Sequence, residues 1–329
     1  MTIKDRKLID ACSVHMFRLG FAVTLLFGSA SAQALQPVNP GDGCGQALPK
    51  ATDNGTREYV LTGDLVCPDT GGDINGITIT ANNVVFHLAG HTISSAVCDL
   101  TRNISGIFVQ GGISGVRVDG GKVSGFNDGI VLSSSNSAVV GMTVTNACLF
   151  GIAGQGHSNR IERNVVTASG DGVTLAPAQN TRVASNDLSG NARGVVISAA
   201  GADNNIVEDN IINGNTERGI SLANGTGNVV RNNTLNNNAT GISIDTPGSI
   251  VRGNTVNGSS NTGIGISPAG APSTVRRNTV LGSAVTDMSD NNAGCGGNIW
   301  GTPFLQRNTF QIDQVASMSD GGPGVGCIQ

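Results

Sequence analysis

From residue 104 to residue 310 the apolar positions fall into two short patterns that alternate along the chain. The first is Gly-Ile/Val-x-apolar, whose two apolar residues face one side of an extended strand. Its glycine recurs at Gly106, Gly129, Gly151, Gly172, Gly194, Gly219, Gly241 and Gly263, with spacings of 23, 22, 21, 22, 25, 22 and 22 residues. Only the Gly151 unit departs from the tetrad, with Gly154 in the fourth place. The second pattern, apolar-x-x-Asn-x-apolar, sits between tetrads as IERNVV, VASNDL, VEDNII, VRNNTL, VRGNTV, VRRNTV and LQRNTF. Its asparagines are Asn164, Asn186, Asn210, Asn233, Asn254, Asn278 and Asn308.

A repeat of this length is too short for two helices and a turn, and it holds about three short strands with three turns. One such unit cannot bury its apolar side, but stacked units can, each displaced by roughly 4.8 Å. The pattern therefore predicts an all-β, single-stranded parallel β-helix of about 22 residues per coil. It also accounts for stretches such as RNNTLNNNATGISI, where asparagine is common although it is poor in strands. In a recurring turn, asparagine tolerates the left-handed region and bonds nearby backbone. Stacked in register, its amides can also bond the coils above and below. The asparagine column is thus read as a structural ladder rather than as ligands.

The two ends differ from this middle. MFRLGFAVTLLFGSASA, from Met16, has one basic residue, a short apolar stretch and a small-x-small end at Ala30-Ser31-Ala32. It reads as a signal peptide, too short to span a bilayer, with Gln33 first in the mature chain. The expected organisation is a signal peptide at 1–32, an N-terminal cap at 33–75, coils at 76–282, and a last coil with a C-terminal cap at 283–329. Trp300, the only tryptophan, belongs to that last segment. An exposed coil end invites polymerisation, and solenoids cap it.

Removing residues 1–32 takes Lys4, Arg6, Lys7, Arg18, Asp5 and Asp10, so the net charge moves from −4 to −6. It also takes Cys12 and leaves Cys44, Cys67, Cys98, Cys148, Cys295 and Cys327. Six cysteines in an exported chain fit up to three disulfides. Fifteen connectivities are open; pairing in order gives Cys44–Cys67, Cys98–Cys148 and Cys295–Cys327. No CxxC spacing points to zinc, and no metal site or cofactor is expected. Negative charge and few aromatics disfavour nucleic acid.

The repeats, with LTGDLVCPD, ITANNVVFHLAGHTISS and GKVSGFNDGIVL before them, resemble the right-handed parallel β-helix proteins of the pectin-lyase-like class. The likeness is to NosD-type and carbohydrate-processing members and covers roughly residues 44–312. It implies a right-handed coil and a substrate on the outer face of one strand column. It does not fix an activity, because this fold hosts lyases, hydrolases, epimerases and plain binding proteins. Copper handling, which the NosD-type name implies, needs soft or imidazole ligands. Here the mature chain has only Met142, Met288 and Met318, scattered, and His87, His91 and His157.

The outward residues of the tetrad strands, Phe108, Val131, Ala153, Thr174, Val196, Ser221, Ser243 and Gly265, contain no ionisable group. The column before each glycine does: Ser105, Asp128, Phe150, Asp171, Arg193, Arg218, Thr240, Thr262. Asp128 and Asp171 would lie two coils, roughly 9.6 Å, apart, near the upper end for carboxylates of inverting hydrolysis. His157 and Arg160 fall in a loop after the intervening coil. Asp128, His157, Asp171 and Arg193 are therefore the candidate catalytic set, as base and uronate clamp. Asp-Gly turn chemistry and a surface ion pair fit the same acids. GQGHS superficially resembles the Gly-His-Gly of polygalacturonases, but their Asn-Thr-Asp and Asp-Asp partners are absent, as is the Asp-Pro-His of alginate epimerases.

Arg231, Arg252 and Arg276 stand two residues before successive ladder asparagines. With Arg160 and Arg218 they are the candidate substrate-binding residues, the stripe suiting an anionic polymer. A stripe solvated on its own is the plainer alternative. Threonines at 234, 255, 279 and 309 read as strand propensity. The expected function is an exported, monomeric protein, secreted or periplasmic, that binds a polysaccharide or glycan. As an enzyme it would be a uronate lyase, epimerase or glycoside hydrolase. A non-catalytic cell-envelope or adhesion scaffold and a periplasmic metal handler are the alternatives.

Overall fold

In a computed structural model that describes residues 35–50, 57–69, 71–96, 98–301, 306–311, 315–317 and 328, the two patterns become strands and the segments between them turns. One coil shows the plan. The tetrad forms Asp128–Leu132, a turn leads to Ala138–Val140, a tight bend leads to Thr143–Thr145, and the next tetrad strand starts at Phe150. Each strand pairs in parallel with its counterpart one coil on, as Ile130 with Ile152 and Val139 with Ile161. The result is a parallel β-solenoid with three sheets. Sheet 1, of the tetrads, has 12 strands, and so does sheet 2. Sheet 3 has runs of five and four strands, joined through Asp187, which bridges Val165 and Ile211. Among the described residues the only helical pieces are three 3₁₀ turns, and none is long and apolar enough to cross a membrane.

The core is a stack of identical positions. Ile107, Ile130, Ile152, Val173, Val195, Ile220, Ile242 and Ile264 form one fully buried column, facing Val118, Val139, Ile161, Val183, Val207, Val230, Val251 and Val275 from sheet 2. Such β-branched residues fit a pleated, closely stacked interior. The tetrad glycine is required by close approach. A Cβ at Gly241 would lie 2.4 Å from both Gly263 O and Val256 Cγ1.

The asparagine ladder is present as expected. Asn164 Nδ2 donates to Asn186 Oδ1 at 3.0 Å, Asn186 to Asn210 at 2.9 Å, and the relay continues through Asn233, Asn254 and Asn278 to Asn308. The second N–H of each amide bonds a carbonyl of the preceding coil, as Asn210 does to Val183 O. The left-handed residue is not the ladder asparagine, contrary to expectation, but the one before it: Arg163, Ser185, Asp209, Asn232 and Arg277 have φ of 56–57°. The bend is made first, and it turns the following amide inward. Two further ladders fill the other corners, Asn205–Asn228 and Asn191–Asn215–Asn238.

Cys44–Cys67 and Cys98–Cys148 are disulfides, as expected. Cys295 is also disulfide-bonded; its expected partner Cys327, like the signal peptide at 1–32, lies outside the described residues. The N-terminal segment read as a cap already supplies strands, Gln36–Val38 to sheet 2 and Gln46–Leu48 to sheet 1. At the other end Trp300 is buried in sheet 2 and donates Nε1–H to Asp290 Oδ2 at 2.7 Å. Asp290 itself occupies an inward core position, in register with Ile266. Trp300 is therefore part of the buried stack near its C-terminal end, where Ile328 bridges it in parallel.

Candidate functional site

The column before the glycines is one continuous row on the outer face of sheet 1. Ser105 pairs with Asp128, Asp128 with Phe150, Phe150 with Asp171, Asp171 with Arg193, and Arg193 with Arg218. Asp128 and Asp171 thus sit two coils apart with Phe150 between them, and they do different things. Asp171 is buried and fully engaged: Arg193 Nε donates to Oδ1 at 2.6 Å, Arg193 Nη2 to Oδ2 at 3.1 Å, and Thr174 Oγ1 to Oδ2 at 2.7 Å. A carboxylate held this way positions an arginine and is no free base.

Asp128 lacks such partners. Its Oδ1 is buried with no hydrogen-bond partner. Burial pushes its carboxyl up to about 6, against a smaller opposing pull from the Phe150 backbone N–H. That leaves Asp128 a proton to give or take near neutral pH.

The structure does not bring His157 to this place, which corrects the expected cluster. His157 is not in a loop but ends the long strand Phe150–His157, where it pairs with Gln179 at the far edge of sheet 1. At about 3.3 Å per residue it lies some 20 Å from the Asp128–Asp171 row. The extra length of this strand, which carries an irregularity at Gly154–Gly156, was not visible in the tetrad pattern. Arg160 begins Arg160–Glu162 of sheet 2, exposed and also away from the row.

Further along sheet 1, Arg218 Nη1 donates to Ser221 Oγ at 3.1 Å and reaches Asp245 Oδ2 at 3.4 Å. Ser243 Oγ donates to the same oxygen at 2.8 Å. Beside them the outward row contains Gly265, and the missing side chain leaves a hollow of 140 Å³ lined by Thr240, Ser243, Asp245, Thr262, Gly265 and Ser289, among others. Hydroxyls and one carboxylate line an open recess. Sequence reading missed Asp245 because it follows the tetrad, whereas attention fell on the column that precedes it.

Arg231, Arg252 and Arg276 lie on the outer face of sheet 2, in direct register. Arg231 is paired with buried Glu208, which also holds Arg182, and Arg182 reaches Glu162. Burial of Glu208 opposes ionisation, but the two arginines outweigh it and hold its carboxyl below the usual range. At the N-terminal end of the same face His87 Nδ1 meets Asp119 at 2.7 Å and Nε2 meets Glu58 at 3.2 Å, a structural arrangement.

Residues 109–314 match the family model described as "Periplasmic copper-binding protein (NosD)". This is more than half of the chain, and the protein belongs to the NosD family. No curated protein matches it. Among solved structures it is similar to the Dettilon tailspike protein (16% identity, TM-score 0.54, 87% of this chain and 60% of that one). It is likewise similar to a point mutant of the periplasmic alginate epimerase AlgG (13%, 0.53, 71% and 65%). DFA-IIIase from Arthrobacter chlorophenolicus A6, in complex with GF2, is a third (16%, 0.55, 78% and 70%). The chain spans less than two thirds of the first two, and at these identities the likeness is one of fold.

Proposed function

We propose that this protein is exported and binds a polysaccharide along the outer face of sheet 1, with the hollow at Gly265 as its centre. The observation that carries the reading is that recess, where a carboxylate and several hydroxyls converge beside a missing side chain. Sugar hydroxyls are bound by such groups, which accept and donate in fixed directions. The fold neighbours lend support, being a tailspike, an alginate epimerase and DFA-IIIase in complex with GF2. Disulfides and the family's periplasmic description support export.

Filling the recess tests it. Gly265 does not have a positive φ, and a Cβ there meets Ser289 Oγ at 3.1 Å, so Gly265→Phe is compatible with the backbone. Titration with neutral glucan oligosaccharides should show binding by the wild type and at least about tenfold weaker binding by the variant. Equal binding by both would overturn the reading.

A second reading, processing by proton transfer at Asp128, is favoured by the unpartnered buried oxygen. It requires product from alginate, pectate or a neutral glucan and loss of that product in Asp128→Asn; without it, the protein is a binding scaffold.

The family description names copper, and the described residues do not fit it. They contain no group of three His, Cys, Asp or Glu arranged to hold a metal ion. Their cysteines are all in disulfides, Met142 and Met288 are buried in the core, and His87 is occupied by two carboxylates. Elemental analysis of the purified protein is expected to find no stoichiometric copper.

A further inference from the structure

Outward charges on sheet 2 change character along the stack. Glu162, Arg182, Glu208 and Arg231 form an alternating chain of ion pairs in which each charge is matched. One coil later the matching stops. Arg252 pairs in register with Arg231 on one side and Arg276 on the other. Its guanidinium has no hydrogen bond or ion pair among the described residues, and Arg276 has only the neutral Gln306 amide at 2.8 Å. Arg277 adds a third positive charge at the adjoining exposed bend. Like charges stacked about one strand spacing apart repel, and nothing described on this face offsets them.

Two residues before Arg252 and Arg276, on the same outward side, stand Ile250 and Thr274, and Ile299 continues this uncharged row in register one coil on. Ile299 is 45% exposed although large and apolar. Beside this row is a hollow of 270 Å³ lined by Gly248, Ile250, Pro272, Thr274, Gly297 and Ile299, among others. A cationic row thus runs parallel to an uncharged one with isoleucine at both ends. The ligand that complements both has a regular series of anions along one edge and C–H surface along the other.

We infer that the Arg252–Arg276 strip of sheet 2 is a second binding surface, specific for an acidic polysaccharide with a carboxylate on each sugar, separate from the recess of sheet 1. The sugar rings lie with their C–H faces on Ile250, Thr274 and Ile299. Their carboxylates meet guanidinium groups, which bind them in two-pronged fashion. Nucleic acid fits less well, because the strip offers no aromatic side chain on which a base could stack.

Affinity for oligogalacturonate, with dextran and duplex DNA as controls, tests this on the full chain. Wild type is expected to bind oligogalacturonate, more weakly as salt rises, and dextran not through this strip. Arg252→Ala/Arg276→Ala should lose about tenfold or more in affinity, while Glu208→Gln, which releases Arg231 and Arg182, should bind more tightly. A gain cannot come from misfolding, so the pair of variants separates binding from stability. Gly265→Phe should leave this affinity unchanged, so failure of the sheet 1 reading and failure of this one are distinguishable. Unchanged affinity in the double variant, or duplex DNA bound as tightly as oligogalacturonate, overturns the inference.

Discussion

Asn210 donates its side-chain amide to Asn233 Oδ1 at 2.9 Å, although 23 residues of sequence separate them. The backbone N–H of Asn210 donates to the same oxygen at 3.0 Å. Asn233 in turn donates to Asn254 Oδ1 at 3.0 Å and Val207 O at 2.9 Å. All its hydrogen-bonding capacity is used within a buried corner. Asn233→Ala strips partners from several buried groups at once and is expected to cost about 3 kcal/mol. Thr234→Ala, the exposed neighbour, should stay within about 0.5 kcal/mol. Urea midpoints of the two variants compare them directly, and equal midpoints would contradict the ladder's role.

The periodicity of this column was legible because the coil stacks like positions, so one constraint recurs many times in sequence. The other two ladders were harder to read. At those corners Ser169, Thr181, Ser249 and Ser273 take turns with asparagine, and any residue with a small acceptor satisfies the geometry. The site was legible only as a row. Register fixed which residues neighbour which, and it placed Asp171 beside Arg193 and the three arginines of sheet 2 together. What the row could not reveal was what lies off its line: His157 went astray because a strand extended by three residues, and Asp245, one place beyond the tetrad, meets Arg218 of the previous coil from outside the row.

Arg193 and Asp171 give an asymmetric prediction. The Asp171 carboxylate is 3% exposed and the Arg193 side chain 39%. Removing the arginine strands a buried charge, whereas removing the aspartate leaves a guanidinium that can turn to water. Arg193→Ala should therefore cost more, about 3 kcal/mol, than Asp171→Ala, at about 1–2 kcal/mol. The double variant should recover roughly 1–2 kcal/mol relative to the sum. A double-mutant cycle in urea measures all three, and additivity would show that the two side chains do not act as a pair.

His87 links stability to pH. Partial burial works against its protonation, but hydrogen bonds that its ring donates to Asp119 and then Glu58 outweigh that and raise its pKa above the ordinary 6.5. Since the folded value exceeds the unfolded one, its stabilisation is complete below about 6.5 and fades as pH climbs through the higher folded value. Thermal midpoints should fall over that interval in the wild type. In His87→Gln the fall should be absent and the midpoint lower at pH 6.

Asp128 acts in the opposite sense to an ordinary surface acid. Its folded carboxyl titrates at about 6 instead of 3.8. Between those values the folded state holds a proton that the unfolded state has released, so stability declines as pH rises from about 4 to about 6 and is flat above. The full shift would correspond to about 3 kcal/mol; because the group is only partly buried, solvent screening reduces this to about 1–2 kcal/mol. Asp128→Asn keeps the shape without the charge. It should match the wild type near pH 3.5 and exceed it by that amount at pH 7, in urea titrations run at both values. A residue whose removal stabilises the fold is retained for something other than folding. If Asp128→Asn is instead no more stable at pH 7, the carboxyl is solvated, and the case for proton transfer at this position is lost with it.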